Sequence, residues 1–533
     1  MIQTITGLTA KTRVTLPAAF ALDLNCAIYH CVRKVQQRTP YDPKHQRQWE
    51  RALIDNVIAY IKVLVGKVEP TEHVYIAVDG VAPMAKIKQQ RARRFKSAIG
   101  AEEEARIKAD ARGELYNPSP RWDTNAITPG TNFMTALASA LRTYARTSPK
   151  ILVSPADEPG EGEQKIMEWA RTAKPASMVV YGLDADLIVL ALWASATSSR
   201  TVDLFREEVE FSGGVKMNAL DEEQFLFMDM GHLATILHAK YGRPHQRQDE
   251  FIQDFVGLMN LLGNDFVPHG MALKIRDDGV QKLLELYNSL TAPLIQIKDD
   301  DLRWHYNRDT LIQLFEVLST SEQKDMLRNV KKKLEARPGN TAGKTPEERA
   351  LALYNDTPLT WAAETVLVKK IRLPEYEYPQ FVLREDWKTT YDKEALQDAD
   401  PAMAAASYLQ TLAWTLAYYS GAPIDTHWYY PWFLPPRHAT IVETLRAGAS
   451  LNAPAAVRRP LEPKEQLAMV LPESSFDLLP AEYKKLLDAY PWAWPTAWGA
   501  YSFGRRFLWE CEPLIPLIQP SEIKGMIDTV LDD

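Results

Sequence analysis

Apolar residues in this chain come in two patterns, short continuous runs and longer stretches with a helical repeat. The first run, Ala19-Phe20-Ala21-Leu22, ends on Asp23 and reads as a short buried strand. Tyr29 and His30 then open a helical stretch that reaches Arg38, and residues 48–66 repeat the helical period. A second run, Val74-Tyr75-Ile76-Ala77-Val78, ends on Asp79 at a Gly80 turn. The order strand, helix, strand predicts a parallel sheet with helices on its faces. Ile151-Leu152-Val153-Ser154 and Ser177-Met178-Val179-Val180-Tyr181 continue the strand series, with helices expected over 133–144, 164–171 and 251–262. Past about residue 275 the strand signal gives way to helical patterns at 279–290, 310–318 and 324–336, a turn-rich stretch at 337–348 that predicts a mobile loop, and an aromatic-rich helix at 408–420.

The strands share one chemical feature, because each is followed by acids at the edge where open α/β sheets bind ligands. Asp23 and Asp79 close the first two runs, Glu161 and Glu163 lie in the loop and helix start after the third, Asp184 and Asp186 follow the fourth, and Asp265 ends a Gly263-Asn264 turn. A lone acid at a helix start is ordinarily a dipole partner, and a lone Asp on a Gly turn is ordinarily a turn residue. Seven acids in one pocket are another matter, since neighbouring carboxylates repel unless cations neutralise them. Oxygen ligands without Cys or His point to Mg²⁺ or Mn²⁺, and a pair of such ions is the usual device for in-line displacement at a phosphodiester.

Next to Asp79 the charge reverses. Six basic residues and no acid lie between Lys86 and Lys96, in a chain whose formal net charge is −7. A solvated helix face is the plain reading of such a run. Here, however, Lys86, Gln90, Arg93 and Arg94 fall at i, i+4, i+7 and i+8, which stacks four donors on one face, and Pro83 suits the helix start. The GKT at 343–345 resembles a nucleotide phosphate loop, but Pro338 stands where that motif requires Gly, so nucleotide binding there is excluded.

These segments together resemble the Xrn family of 5′→3′ exoribonucleases. The resemblance is carried by DGVAPMAKIKQQRARRFKSA, ITPGT, PGEGEQKIM, YGLDADLIVLAL and DFVGLMNLLGNDFVPH, and later by WKTTY, YLQTLAWTLAYYSGAPIDTHWYYPWFLPP and LLPAEYKKLL, in order from about Ala21 to about Ile518. It implies a PIN and flap-endonuclease-like α/β core with a central, mostly parallel sheet over 1–275. A helical connector over 276–384 and a largely helical second conserved region over 385–533 would follow. It implies that Asp23, Asp79, Glu161, Glu163, Asp184, Asp186 and Asp265 hold two Mg²⁺ or Mn²⁺ ions, and that Lys86, Gln90, Arg93 and Arg94 take the RNA 5′-monophosphate. Pro83 matches the residue that excludes duplex at the entrance, Trp414 an aromatic near the 5′ nucleotides, and Trp428 is a further candidate. Where the family stacks a His on the first base, this chain has Tyr29 with His30 beside it. Met1 to Pro17 holds no Gly-Val-Pro-x-Phe segment, and the long C-terminal extensions of the cytoplasmic members are missing, so partners that dock there are not expected.

The implied activity is processive, metal-dependent hydrolysis of 5′-monophosphorylated single-stranded RNA to 5′-mononucleotides. The decapping machinery would be a partner and the enzyme a monomer. A structure-specific flap endonuclease and a catalytically dead RNA-binding scaffold are the alternatives. Composition adds little: 46% hydrophobic and 25% charged residues are ordinary for a globular chain, and three cysteines without a CxxC pair suit a reducing compartment. With no apolar run of membrane-spanning length and no signal-peptide pattern, a cytoplasmic enzyme is expected, with the nucleus left open.

Overall fold

The computed structural model describes residues 9–10, 15–117, 120–182, 184–198, 200–208, 215–217, 223–297, 304–339, 345–454 and 458–532. The chain divides into two compact units, each assembled from separate stretches. The first comprises Met1–Pro83, Pro120–Val256 and Pro460–Leu467, and the second Met84–Ser119, Gly257–Arg459 and Ala468–Asp533.

The first unit is a seven-stranded sheet in the order β1-β7-β6-β5-β2-β3-β4. Its strands are β1 (Thr9–Ala10), β2 (Ala19–Asp23), β3 (His73–Ala77), β4 (Ile151–Ser154), β5 (Ser177–Tyr181), β6 (Thr201–Glu207) and β7 (Phe225–Asp229). The five from β4 to β6 in spatial order are mutually parallel, and β7 and β1 add antiparallel partners on one side, so the sheet is mostly parallel as expected. Helices α1 (Leu24–Arg38), α2 (Gln46–Val68), α4 (Asn132–Ala145), α5 (Gly162–Ala173), α6 (Ala185–Ala196) and α7 (Met230–Tyr241) connect or follow the strands, while α3 (Met84–Ala111) belongs to the second unit. β2 is central and buried along its whole length, because apolar side chains on both faces of a parallel strand must be covered by helices. The succession of strands reverses direction between β2 and β5, the switch point where such sheets open a crevice.

The second unit is helical, with three two-stranded hairpins among its described residues. After α8 (Gln248–Asn260), which closes the first unit and opens the second, come α9 (Gly279–Tyr287) and α10 (Arg308–Glu335). The two helices expected over 310–318 and 324–336 are one. The polar Ser319-Thr320-Ser321 stretch contains no Gly or Pro, and its hydroxyls turn back to donate to Glu316 O at 2.7 Å, Val317 O at 2.7 Å and Leu318 O at 3.2 Å. A gap in apolar spacing is therefore not a gap in the helix. The loop expected over 337–348 is shorter than that: residues 340–344 lie outside the described residues, and Thr345 caps a helix, α11 (Pro346–Asn355), through a reciprocal bond with Glu348. A core of Met326, Trp387, Tyr391, Leu434 and Phe503 holds this unit together, and the buried Lys333 Nζ pairs with Glu364 at 2.7 Å.

Candidate active site

Six acids of the first unit follow the ends of parallel strands. Asp23 leaves β2 as the N-cap of α1, and Asp79 follows β3 after Val78. Glu161 is the N-cap of α5 with Glu163 in its first turn, and Asp184 is the N-cap of α6 with Asp186 in its first turn. An acid at the N-cap ordinarily accepts from its own helix's N–H groups, as Asp229 does from His232 at 2.8 Å. Asp23, Glu161 and Asp184 make no such capping bond. Helix capping therefore does not account for them.

The strand-end loops are locked to one another by backbone. Gly80 N–H donates to Gly160 O at 2.9 Å, and Gly160 N–H donates to Val81 O at 2.8 Å. A Cβ at Gly80 would fall 1.7 Å from Glu158 O, so only glycine allows the loops this close. Asp79 Oδ1 accepts from Gly162 N–H at 2.7 Å and Oδ2 from Asn25 Nδ2 at 2.8 Å, while Asn25 Oδ1 accepts from Asp79 N–H at 3.1 Å. The result is a cradle centred on Gly162. A Cβ there would lie 2.6 Å from Asp23 Oδ1 and 3.4 Å from Asp79 Oδ1, with Glu161 and Glu163 on either side in sequence. At Gly182 the Cβ position is 3.7 Å from Asp23 Cβ, which brings the turn leading to Asp184 beside the same acid.

Asp23, Glu161 and Glu163 are buried, with exposures of 5%, 3% and 6%, whereas Asp184 is exposed and Asp186 partly so. Among the described residues no three Asp, Glu, His or Cys side chains are already gathered into a coordination shell. The donor set still fits a hard divalent cation: it is all carboxylate, Asp23, Glu161 and Glu163 are buried, and glycine leaves the space between Asp23 and Asp79 open. Lys165 supports the loops from below, donating to Val78 O at 2.8 Å and Pro155 O at 2.9 Å, and burial pushes its pKa down to about 8. Neither Asn25 nor Lys165 stood out in the sequence, although Asn25 lies two residues from Asp23 and Lys165 within PGEGEQK.

The remaining candidates lie in the second unit, apart from Pro83, Tyr29 and His30. Lys86 Nζ pairs with Asp265 Oδ2 at 2.6 Å, and Gln89, which sequence reasoning passed over, donates to Asp265 Oδ1 at 2.8 Å. Asp265 is presented by a tight turn, since Asn264 Oδ1 accepts from Phe266 N–H and Val267 N–H at 2.9 and 2.8 Å, and Gly263 takes φ 91°. On α3, Gln90 and Arg94 are buried and Arg93 is exposed. The other basic residues of that run are held by backbone carbonyls: Lys88 by Tyr430 and Pro431 at 2.6 and 3.0 Å, Lys96 by Trp509 and Cys511 at 3.2 and 3.0 Å, and Arg91 by Pro516 at 3.0 Å and by Met469 and Ala493. Half of the charge run is thus scaffolding.

Pro83 is buried immediately before α3. Trp414 has no exposed surface; its Nε1 donates to Asp425 O at 2.8 Å and its ring stacks on Tyr418 at 5.2 Å. Trp428 is half-buried and donates to Thr411 Oγ1 at 3.1 Å. In the first unit Tyr29 is half-buried, while His30 is buried with Nε2 2.9 Å from Glu223 Oε1 and its ring 4.8 Å from that of Tyr60.

Comparison with known proteins covers both units. Residues 7–208 match the family profile described as the XRN 5′-3′ exonuclease N-terminus, and residues 246–357 and 309–524 match that of the Xrn1 helical domain. The chain is 28% identical to 5′-3′ exoribonuclease 1 of Homo sapiens, over 95% of its own length and 32% of that protein's. It is 25% identical to 5′-3′ exoribonuclease 1 of Schizosaccharomyces pombe, over 94% of its length and 46% of the relative's, and 32% identical to 5′-3′ exoribonuclease 2 of Eremothecium gossypii over 51% and 33%. It therefore spans about a third to a half of these relatives.

Proposed function

The chain belongs to the XRN 5′-3′ exonuclease family, and from that premise we propose that it is a processive 5′→3′ exoribonuclease acting on 5′-monophosphorylated single-stranded RNA and releasing 5′-mononucleotides. The observation that carries this reading is the Gly162 cradle, where carboxylates from separate strand ends face one point without capping their own helices. Asp23, Asp79, Glu161, Glu163, Asp184, Asp186 and Asp265 would hold two Mg²⁺ or Mn²⁺ ions. Bound there, such ions supply an activated water and charge stabilisation at the leaving 3′-oxygen.

The protein's own groups do the rest. Asn25 and the Gly162 N–H fix the Asp79 carboxylate through both of its oxygens, so its orientation is set before substrate arrives. Lys86 and Gln89 do the same for Asp265. Lys86, Gln90, Arg93 and Arg94 receive the terminal phosphate with charge-assisted hydrogen bonds, the interaction that separates a monophosphate end from a hydroxyl end. Pro83 limits entry to a single strand, and Trp428, which keeps part of its surface open, serves the RNA while the fully buried Trp414 supports the fold around it. The enzyme works as a monomer in the cytoplasm, and decapping is the class of reaction that supplies its 5′ ends.

The test uses RNAs with monophosphate, triphosphate and hydroxyl 5′ ends, with and without Mg²⁺. Mononucleotide release from the monophosphate end in Mg²⁺ is expected. Asp184→Asn and Asp186→Asn should each abolish hydrolysis while binding of 5′-monophosphate RNA survives. Lys86→Ala and Arg93→Ala should erase the preference for monophosphate over hydroxyl ends. Equal rates on all three ends, or near-normal turnover by either Asn variant, would refute the reading.

A further inference from the structure

The side of α3 turned away from the phosphate-seeking face borders a large cavity. At 3.6 residues per turn Lys88 projects about 200° from Lys86, and Lys88, Ala92 and Lys96 line up one and two turns apart on that far side. The cavity they line measures ≈ 1260 Å³ and is built wholly from the second unit. Nine Lys and Arg residues line it against five Asp and Glu, a surplus of four positive charges in a chain whose formal net charge is −7. Six of the nine are already partnered: Arg276, Lys332 and Lys333 pair with Glu510, Asp277 and Glu364, and Lys88, Arg91 and Lys96 are held by carbonyls, which leaves Lys274, Arg505 and Arg506.

The cations at the far end are the least compensated. Lys274 Nζ donates to Gly504 O at 2.8 Å and Arg505 to Phe433 O at 2.9 Å, and neither has a carboxylate within ion-pair distance among the described residues. Arg505 is 5% exposed, its Nε has no hydrogen-bond partner, and its guanidinium donates to His269, which burial and Arg505 itself keep neutral. Arg506 Nε is likewise buried without a partner. Burial, with the Arg505 charge, pushes the pKa of Lys274 down to about 8, against the opposite pull of Asp277, Glu510 and Glu364.

Flat surfaces stand next to these charges. Phe507 and Trp509 stack at 5.5 Å with an interplanar angle of 6°, Arg276 lies over both rings and Arg506 over Phe507, and Trp509 is 53% exposed. Base stacking on an exposed aromatic and phosphate capture by arginine and lysine are the two halves of nucleotide recognition. A volume above the usual range for small-molecule pockets admits a nucleotide or a short strand.

We propose that this cavity is a second nucleotide-binding site, with Trp509 as the base platform and Lys274, Arg505 and Arg506 as the phosphate donors. Its edge at Gln89 and Asp265 adjoins the proposed catalytic centre, while the residues named for the nucleotide lie outside that centre. Binding is therefore measured by calorimetry in EDTA, where no hydrolysis occurs, with ADP and pyrophosphate as probes. ADP should bind saturably, the double variant Lys274→Met, Arg506→Gln should weaken it about tenfold to hundredfold, and Arg93→Ala, outside the cavity lining, should leave it unchanged. Trp509→Ala, at an exposed ring, should weaken ADP and spare pyrophosphate. Displacement of ADP by a 5′-hydroxyl oligouridylate would identify the natural occupant as a segment of an RNA strand; no displacement would identify it as a free nucleotide. Absence of saturable binding at millimolar ADP, or ADP binding that survives the folded double variant unchanged, overturns the proposal.

Discussion

Gly162→Ala is the smallest change that tests the carboxylate cradle. The added Cβ would lie 2.6 Å from Asp23 Oδ1, so to reach ordinary contact near ~3.4 Å the carboxylate must retreat by roughly 0.8 Å. The Asp79 oxygen at 3.4 Å is already at the edge of contact and has less reason to move. A misplacement of about 1 Å at a reacting centre costs on the order of 10²-fold in rate, equivalent to ~2.7 kcal/mol in the barrier. Stability should move little, because Gly162 is the first residue of α5 and Ala is favoured over Gly in a helix by up to about 1 kcal/mol, which offsets part of the crowding. The expected outcome is thus a variant that melts like the native protein and degrades 5′-monophosphorylated RNA about a hundredfold more slowly. Gly66→Ala serves as control: it lies inside α2 with nothing within 4 Å of its Cβ position, so it should gain stability and keep full activity. Native turnover in a folded Gly162→Ala enzyme would show that the position of the Asp23 carboxylate is irrelevant to the reaction.

Two further predictions concern stability. Burial by itself would raise the Glu223 carboxyl, but the adjacent His30 and Lys34 outweigh it and hold the pKa at about 2; the stability this contributes is present above the ordinary value of 4.5 and is lost as pH falls toward 2, so urea unfolding should show an acid limb, on the order of 1–2 kcal/mol for a half-buried group, that Glu223→Gln removes. Lys333→Met strands the fully buried Glu364, which also accepts from the Gly504 N–H, and should cost about 3–5 kcal/mol in the same assay, with Lys333→Met, Glu364→Gln recovering part of it; no change on the single substitution would deny the pair a structural role.

Four of the parallel strands were legible because β2, β3, β4 and β5 are apolar runs followed by acids, and the same runs marked the candidate ligands. β6 was not, and the reason is its charge. Asp203 and Glu207 sit inside the strand TVDLFRE and are both buried, with Glu207 accepting from Tyr60 and, at 2.7 Å, from Tyr181. Such a residue is paired by partners far away in the chain, and no local pattern announces them. The basic run on α3 was legible as a charge but not as a division of labour. Periodicity separated the faces of the helix, yet that Lys88, Arg91 and Lys96 are held by carbonyls of residues 430–516 is a tertiary fact. The interleaving of the two compact units is of the same kind, because sequence adjacency places α3 next to β3 while packing assigns it to the other unit.

Tyr29 and His30 are neighbours on α1, so their side chains point about 100° apart and cannot serve one surface together. His30 is already committed: its ring lies 4.8 Å from Tyr60 and its Nε2 is 2.9 Å from Glu223, at 7% exposure. Freeing it to stack on a base would leave Glu223 buried with one partner fewer. Tyr29 keeps part of its surface open to solvent, one turn into the helix that Asp23 begins. A flat ring in that place can carry a leading base whatever its polarity, and base–aromatic stacking is worth ~1–3 kcal/mol. Tyr29→Ala should therefore leave the melting temperature nearly unchanged and shorten the tract of a long 5′-monophosphorylated RNA degraded per binding event, while Tyr29→His restores the native tract length. His30→Ala should do the opposite, lowering the melting temperature and flattening the acid limb set by Glu223, with processivity intact at a permissive temperature. Product-length analysis and thermal melting on the same three proteins decide the matter: if Tyr29→Ala and Tyr29→His destabilise the fold equally and neither alters tract length, Tyr29 is packing and no platform for RNA.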